Sequence, residues 1–252
     1  VSGELSVDYS WARPAPAAIR AAGYAGVWRY LSGGTAGKDL TKEEAAALHG
    51  AGLGIGCVWE TTARRATEGA AAGTADGKGA AAQARSVGLP QGCPLLVNVG
   101  DFAGASAQLD VIEAYYHAFR AETEATWQTG GYATAFIIAG LGLRGAQGLW
   151  WQNAMDDGGV PGDVVSPHAS LYQRVRPTRS IAGSKAGDWD EDIAVGGVAV
   201  NWWRPAGAPA PKPAPSPAPK PAAIEGYVVY PGSAGGYAGR AVTSADAGKT
   251  WA

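Results

Sequence analysis

Carboxylates recur in this sequence where apolar runs stop. Leu5-Ser6-Val7 leads into Asp8, Leu53 to Trp59 into Glu60, and Cys93 to Gly100 into Asp101, while a later acidic stretch carries Asp188, Asp190 and Asp192. An aromatic is close to each: Trp11 after Asp8, Trp59 before Glu60, Phe102 after Asp101, Trp189 before Asp190. Carboxylates beside aromatic plates suit a sugar, because ring faces stack on pyranose rings while acids bind hydroxyls or protonate a glycosidic oxygen. Crowded acids also raise one another's pKa, which is how one of them becomes a proton donor near neutral pH. Asp8, Glu60, Asp101 and Asp190 are therefore the candidate catalytic residues. Trp11, Arg29, Tyr30, Trp59, Trp151, Asp188 and Trp189 are the candidate substrate-binding residues, with Trp150 beside Trp151 at the end of a sixth apolar run. The plainer alternative is that strand-end acids cap backbone amides or pair with Arg29 and Arg64, and that most tryptophans are core. Asp188, Asp190 and Asp192 share one face by period two, so at least one must belong to a loop or a solvated rim.

The elements that position these residues are legible as alternating strands and helices. The run Cys93 to Gly100, opened by Pro94 and closed by glycine, reads as a strand buried on both faces, as in a parallel sheet. In parallel α/β folds the carboxyl ends of strands are where ligands bind. Leu5 to Asp8, Ala25 to Leu31 and Leu53 to Trp59 are the strands before it. Between them, Pro14 opens a helix that stops at Gly23, and Thr41-Lys42-Glu43-Glu44 is a capping box for a helix ending near Gly50 or Gly52. A helix is predicted from about Ala75 to Val87. Ser106 is the expected cap of the next, whose Leu109, Ile112, Tyr115, Tyr116 and Phe119 recur at helical spacing. Tyr132 to Ala139, Gln147 to Gln152, Ser170 to Val175 and Trp189 to Val195 are the fifth to eighth strands, with little helical signal between them. Eight strands with helices between the first ones predict a (β/α)8 TIM-like barrel with reduced helices in its second half. A doubly wound open sheet is the alternative, but no Gly-rich phosphate loop follows the first strand.

At 252 residues the chain is long enough for a full core and an appendage. Its net charge of −2, with no basic block, argues against nucleic acid or an anionic membrane surface as partner. The longest apolar run, Ala133 to Leu143, is too short to span a bilayer. No charged-then-apolar leader opens the sequence, so the expected location is a virion or the extracellular space reached without a signal peptide of its own, after a cytoplasmic stage in the host. Cys57 and Cys93 sit at different heights on neighbouring strands and are expected to be free, buried thiols. His49, His117 and His168 are isolated, and neither a metal nor another cofactor is expected.

After Trp203 the composition changes. The predicted organisation is a barrel over 1–204, a Pro/Ala/Lys-rich linker over 205–222 that forms an extended spacer, and a small C-terminal β-hairpin tail over 223–252. About thirty residues are too few for a stable core of their own. The run Ser244-Ala245-Asp246-Ala247-Gly248-Lys249-Thr250-Trp251 resembles the Asp-box hairpin of sialidase-type propellers, and a single copy reads as a lone hairpin.

Val7-Asp8-Tyr9-Ser10-Trp11, Arg29-Tyr30-Leu31-Ser32, Lys38-Asp39-Leu40-Thr41 with Glu43 and Ala45, Val58-Trp59-Glu60 and Gly187-Asp188-Trp189-Asp190-Glu191-Asp192 together resemble the glycoside-hydrolase-like domain family. This domain of unknown function occurs in actinobacterial secreted proteins and phage lysins and is related to the family 25 lysozymes. The resemblance runs from about Leu5 to Trp203 and thins between Gly130 and Gly183. It implies a TIM barrel and bacterial cell-wall glycan as the partner; the stiff spacer and the hairpin tail point to other virion proteins as further partners. Family members carry two acids on the fourth strand in an Asp-aromatic-Asp run. Here the run is Asp101-Phe102-Ala103, without the second acid, and the family's tyrosine-rich fifth strand is replaced by the apolar Phe136-Ile137-Ile138-Ala139-Gly140. These departures favour a glycan-recognition module with weak or no catalysis, and the missing leader and rigid spacer fit a phage particle protein. The alternative is an active muramidase-like glycosidase, with Glu60 or Asp101 as the acid and Asp8 or Asp190 stabilising the oxocarbenium charge.

Overall fold

The structure, a computed structural model, describes residues 4–34, 37–154, 165–174, 177–185, 187–195 and 199–205, and the backbone of two short strands near the C-terminus. Eight strands close a barrel in sequence order: β1 (Leu5–Asp8), β2 (Gly26–Leu31), β3 (Gly54–Trp59), β4 (Pro94–Gly100), β5 (Gln128–Ala133), β6 (Leu149–Gln152), β7 (Leu171–Gln173) and β8 (Asp190–Ala194). The first seven run parallel. β8 runs antiparallel to both β7 and β1 and seals the cylinder. Its first residue, and not its last, therefore lies at the mouth, and Asp190 pairs in register with Asp8.

Helices cover the outside: α1 (Pro16–Ala21), α2 (Lys42–Gly50), α3 (Gly69–Val87), α4 (Leu109–Thr123) and α5 (Ala135–Leu143). Among the described residues none lies between β6 and β8, in keeping with the reduced second half. Each strand sends alternate residues inward and outward. Trp28, Val58, Leu96, Tyr132, Leu149, Trp151 and Leu171 pack with Trp202 in the lumen, while Val7, Val27, Leu31, Ile55, Leu95, Val97 and Val99 meet the helices. Cys57 and Cys93 are buried and free.

Four local expectations are corrected. The fifth strand is Gln128–Ala133 and stops at Thr134, whose side chain accepts from the Ile137 amide as the N-cap of α5. Phe136 to Gly140 is thus helix, because an apolar run of this length with no polar alternation fits a buried helix as well as a strand. Helix α3 begins six residues before the expected Ala75, its early glycines lying against α4: a Cβ at Gly73 would stand 2.2 Å from the Tyr115 carbonyl oxygen. Ser106 does not cap α4, which follows a single 3-10 turn at Ala105–Gln108. Thr41 does cap α2 by accepting from the Glu44 amide at 3.2 Å, but the Glu44 carboxylate reaches across to Arg29 and Tyr9 and does not fold back on its own helix end.

The chain divides into two compact units, Ser2–Lys212 and, with Val1, Pro213–Ala252. In the second, Tyr227–Pro231 and Tyr237–Ala241 pair as an antiparallel hairpin. The linker from 206 and the Asp-box-like run at Ser244–Trp251 lie outside the described residues.

Candidate functional site

The inward side chains at the mouth come from nearly every strand. Asp8, the last residue of β1, is buried and accepts from the Tyr30 hydroxyl at 3.2 Å and from Gln173 Nε2 at 2.9 Å. Burial, and next the neighbouring Asp190, push its carboxyl up to about 7 against the pull of these two donors. Glu60, just past β3, accepts from the Lys38 ammonium at 2.6 Å and from Asn98 Nδ2 at 2.8 Å. Lys38 in turn lies 4.6 Å from the centre of the Tyr30 ring.

Asp101 reaches the mouth through a β-bulge. The pairing of β4 with β5 skips a residue between Asn98 and Gly100, so Val99 and Gly100 both lie on the outer face. By strict alternation Asn98, Gly100 and Phe102 would face inward, but with the extra residue the sequence of inward groups is Asn98 and then Asp101. Asp101 accepts from Asn153 Nδ2 at 2.7 Å. Burial raises its carboxyl to about 6, with Glu60 and Asp190 adding to the rise against the Asn153 bond. Asp190 is exposed at the rim, and the protein behind it still raises its carboxyl. The four acids thus share one mouth, where Asp190 acts on Asp8, and Glu60 and Asp190 act on Asp101. Ala103, where a second acid was expected, is an exposed turn residue beyond the strand. The inward position that faces Glu60 belongs to Asn98, an amide.

Below this ring, Asp192 is wholly buried and accepts from Trp151 Nε1 at 2.9 Å. Burial and the Asp8 charge hold its carboxyl well above the usual range. Trp151 is part of the floor: it is stacked on Trp28 at 5.1 Å and is itself only 1 % exposed, so it does not line an open wall.

Alternation decides the remaining candidates. A residue next to an inward group on a strand points outward. Trp59, beside Glu60, packs under α3 against Gly79, and Trp189, beside Asp190, packs edge-on against Tyr24. Arg29, beside Tyr30, is wholly buried outside the barrel on Glu44 and the Tyr9 and Lys38 carbonyls. Asp188 closes a turn by accepting from the Lys185 amide at 2.7 Å. These four do not belong to the mouth. Trp11 does stand free beyond β1 at 67 % exposure, and Tyr30 is in the site through its hydroxyl.

The mouth side chains that the sequence does not single out as site residues are Asn98, Tyr132, Asn153, Gln173 and Lys38, four neutral groups and one cation. Tyr132 donates to Gln173 Oε1 at 3.0 Å, which sets the Gln173 amide group to donate to Asp8. The available signal was an amide near the carboxyl ends of β4, β6 and β7. Among the described residues no group of three or more His, Cys, Asp or Glu could hold a metal ion.

The profile of the Rv2525c-like, glycoside hydrolase-like domain matches residues 17–194, most of the chain and every barrel strand but the first. The chain belongs to this family. Among solved structures, the Tat-secreted Rv2525c protein of Mycobacterium tuberculosis, in complex with L-tartrate, superimposes with a TM-score of 0.64 at 24% identity, over 77% of this chain and 96% of that one. An uncharacterized protein of B. stearothermophilus gives 0.54 at 17% identity, over 77% and 96%. A bacterial lysozyme from Streptomyces coelicolor gives 0.53 at 16% identity, over 77% and 93%. At these identities the common property is the fold, the eight-stranded TIM-like barrel. A search of curated protein sequences returned no match.

Proposed function

We propose that this chain recognises bacterial cell-wall glycan at the barrel mouth, as a binding module with weak or no hydrolytic turnover. The observation that carries the reading is the state of Glu60: it is engaged by the Lys38 ammonium and by Asn98, an amide where an acid/base pair needs a second free carboxylate. The rest of the mouth is rich in hydroxyl, amide and carboxyl groups, which suit sugar hydroxyls, and exposed Trp11 offers a stacking face. The shared barrel of a lysozyme supports the choice of glycan, and secretion of the mycobacterial relative supports a setting outside the cytoplasm. In the same reading the barrel, 1–204, is carried by the 205–222 spacer on a 223–252 tail that meets other proteins of a virion.

A second reading, a muramidase-like glycosidase, is favoured by one observation. Asp101 combines a carboxyl raised to about 6 with partial exposure, the condition for a general acid that gives its proton to a leaving glycosidic oxygen. Asp8 or Asp190 would then stabilise the positive charge on the sugar. Incubating the full chain with actinobacterial cell walls separates the two. Retention on the walls without released reducing sugar, unchanged in Asp101→Asn, is the expected result. Sugar release that falls by about 10²-fold or more in Asp101→Asn establishes the glycosidase instead. Neither retention nor release overturns both. In the same assay a chain ending at 204 must still be retained if the barrel alone is the recognising unit.

A further inference from the structure

We infer that Ser6, Trp28 and Asp192 form an internal water-binding site in the barrel lumen, beneath Asp8. All three residues are wholly buried, and Ser6 Oγ, Trp28 Nε1 and Asp192 Oδ2 each lack a hydrogen-bond partner among the described residues. Buried polar groups are almost always satisfied, by protein or by ordered water. One other such atom occurs among the described residues, Trp59 Nε1 on the outer face; these three belong to inward-facing residues of β1, β2 and β8.

Their proximity follows from register. Ser6 on β1 is paired with Asp192 on β8, and Asp8, the next inward residue of β1, is paired with Trp28 on β2. Directly paired residues on one face hold their Cβ atoms about 5 Å apart. The Trp28 ring is oriented by Gly56 on β3: a Cβ there would stand 2.4 Å from Cζ3 and 2.6 Å from Cε3. Asp192 is fixed from the other side, its Oδ1 accepting from Trp151, on which Trp28 is stacked. Ser6 is small, and the Trp202 ring covers Gly26, its register neighbour on β2, where a Cβ would stand 2.7 Å from Cη2.

The three groups select the occupant. Trp28 Nε1 only donates, which repels a metal ion. A carboxyl in the same shell repels an anion. A neutral molecule that both donates and accepts remains, and in a space ringed by single side chains that molecule is water. With Asp192 carrying its proton on Oδ2, the water accepts from Trp28 and from Asp192 and donates to Ser6 Oγ, so every orphaned atom gains a partner. Asp192 and its water then form a proton-bearing pair one inward step below Asp8. The site is independent of what binds at the mouth.

An atomic-resolution crystal structure of the full chain, with nuclear Overhauser measurement from water to the Trp28 indole proton in solution, tests this. The expected result is a solvent peak within hydrogen-bond distance of Trp28 Nε1 and of Ser6 Oγ or Asp192 Oδ2, together with a water cross-peak at the indole proton. Both should vanish in Asp192→Leu. Should that variant not fold, Ser6→Val, which sets a methyl group at the hydroxyl position, must remove the peak instead. A dry lumen, a Trp28 Nε1 bonded directly to a protein atom, or a peak that survives Ser6→Val overturns the site.

Discussion

Buried charge is handled in two ways in this molecule. In the shell between barrel and helices three carboxylates meet cations, while Asp39 accepts from the Ser32 hydroxyl, the Gly34 amide and Gln83. Glu44 takes Arg29 Nε at 2.8 Å and Arg13 besides, Asp76 takes Arg65 Nε at 2.9 Å, and Glu191 is bonded to Arg174. In the lumen and at the mouth the carboxyls meet neutral donors: Asp8 has Tyr30 and Gln173, Asp101 has Asn153, Asp192 has Trp151. A cation locks the ionised form in place, whereas an amide or hydroxyl leaves burial free to favour the protonated form. The shell therefore holds the fold, and the mouth holds carboxyls that can exchange protons near neutrality. Glu60 is the exception at the mouth, a carboxylate given a cation in Lys38.

The largest expected effect breaks the shell. Glu44→Gln leaves the Arg29 guanidinium, 0 % exposed, without a counter-charge, and should cost about 3–5 kcal/mol in urea unfolding at pH 7. A loss below about 1 kcal/mol would mean that the carbonyls of Tyr9 and Lys38 already satisfy Arg29.

The next effect has the opposite sign. Asp8 is raised from 3.8 to about 7 on folding, so its contribution to stability is fully present below about pH 4 and is lost as pH rises through about 7. Asp8→Asn removes that dependence and should stabilise the chain at pH 8, by at most about 4 kcal/mol, with little gain at pH 4. Unfolding at both pH values measures it, and equal changes would place Asp8 among the shell carboxylates. The smallest effect on stability is at the rim: Trp11→Ala should change unfolding by no more than about 0.5 kcal/mol. Retention on cell walls should nevertheless weaken up to about tenfold, the worth of one aromatic stacking contact.

Much of the barrel was legible because buried strands are continuous apolar runs and helix α4 carries its period plainly. The acids at strand ends were legible for the same reason, since a charge marks where burial stops. The fifth strand was misread where apolar content carries no period: Gln128 to Ala133 is the strand, and Phe136 to Gly140 a helix. Arg29, Trp59 and Trp189 were misplaced because closeness in sequence to an inward residue means, on a strand, the opposite face.

From the sequence alone came the eight-stranded barrel, the free thiols and the four acids of the mouth, all properties of local hydrophobicity and its interruptions. Tertiary structure decided which way those residues face and what they meet. The reversal of β8 brings Asp190 opposite Asp8, and the bulge in β4 turns Asp101 inward beside Asn153. The closing of the cylinder puts Asp192 under both. Strand direction, register and bulges are set by pairing between segments far apart in the chain, and a carboxyl's proton affinity depends on the neighbours that such pairing supplies.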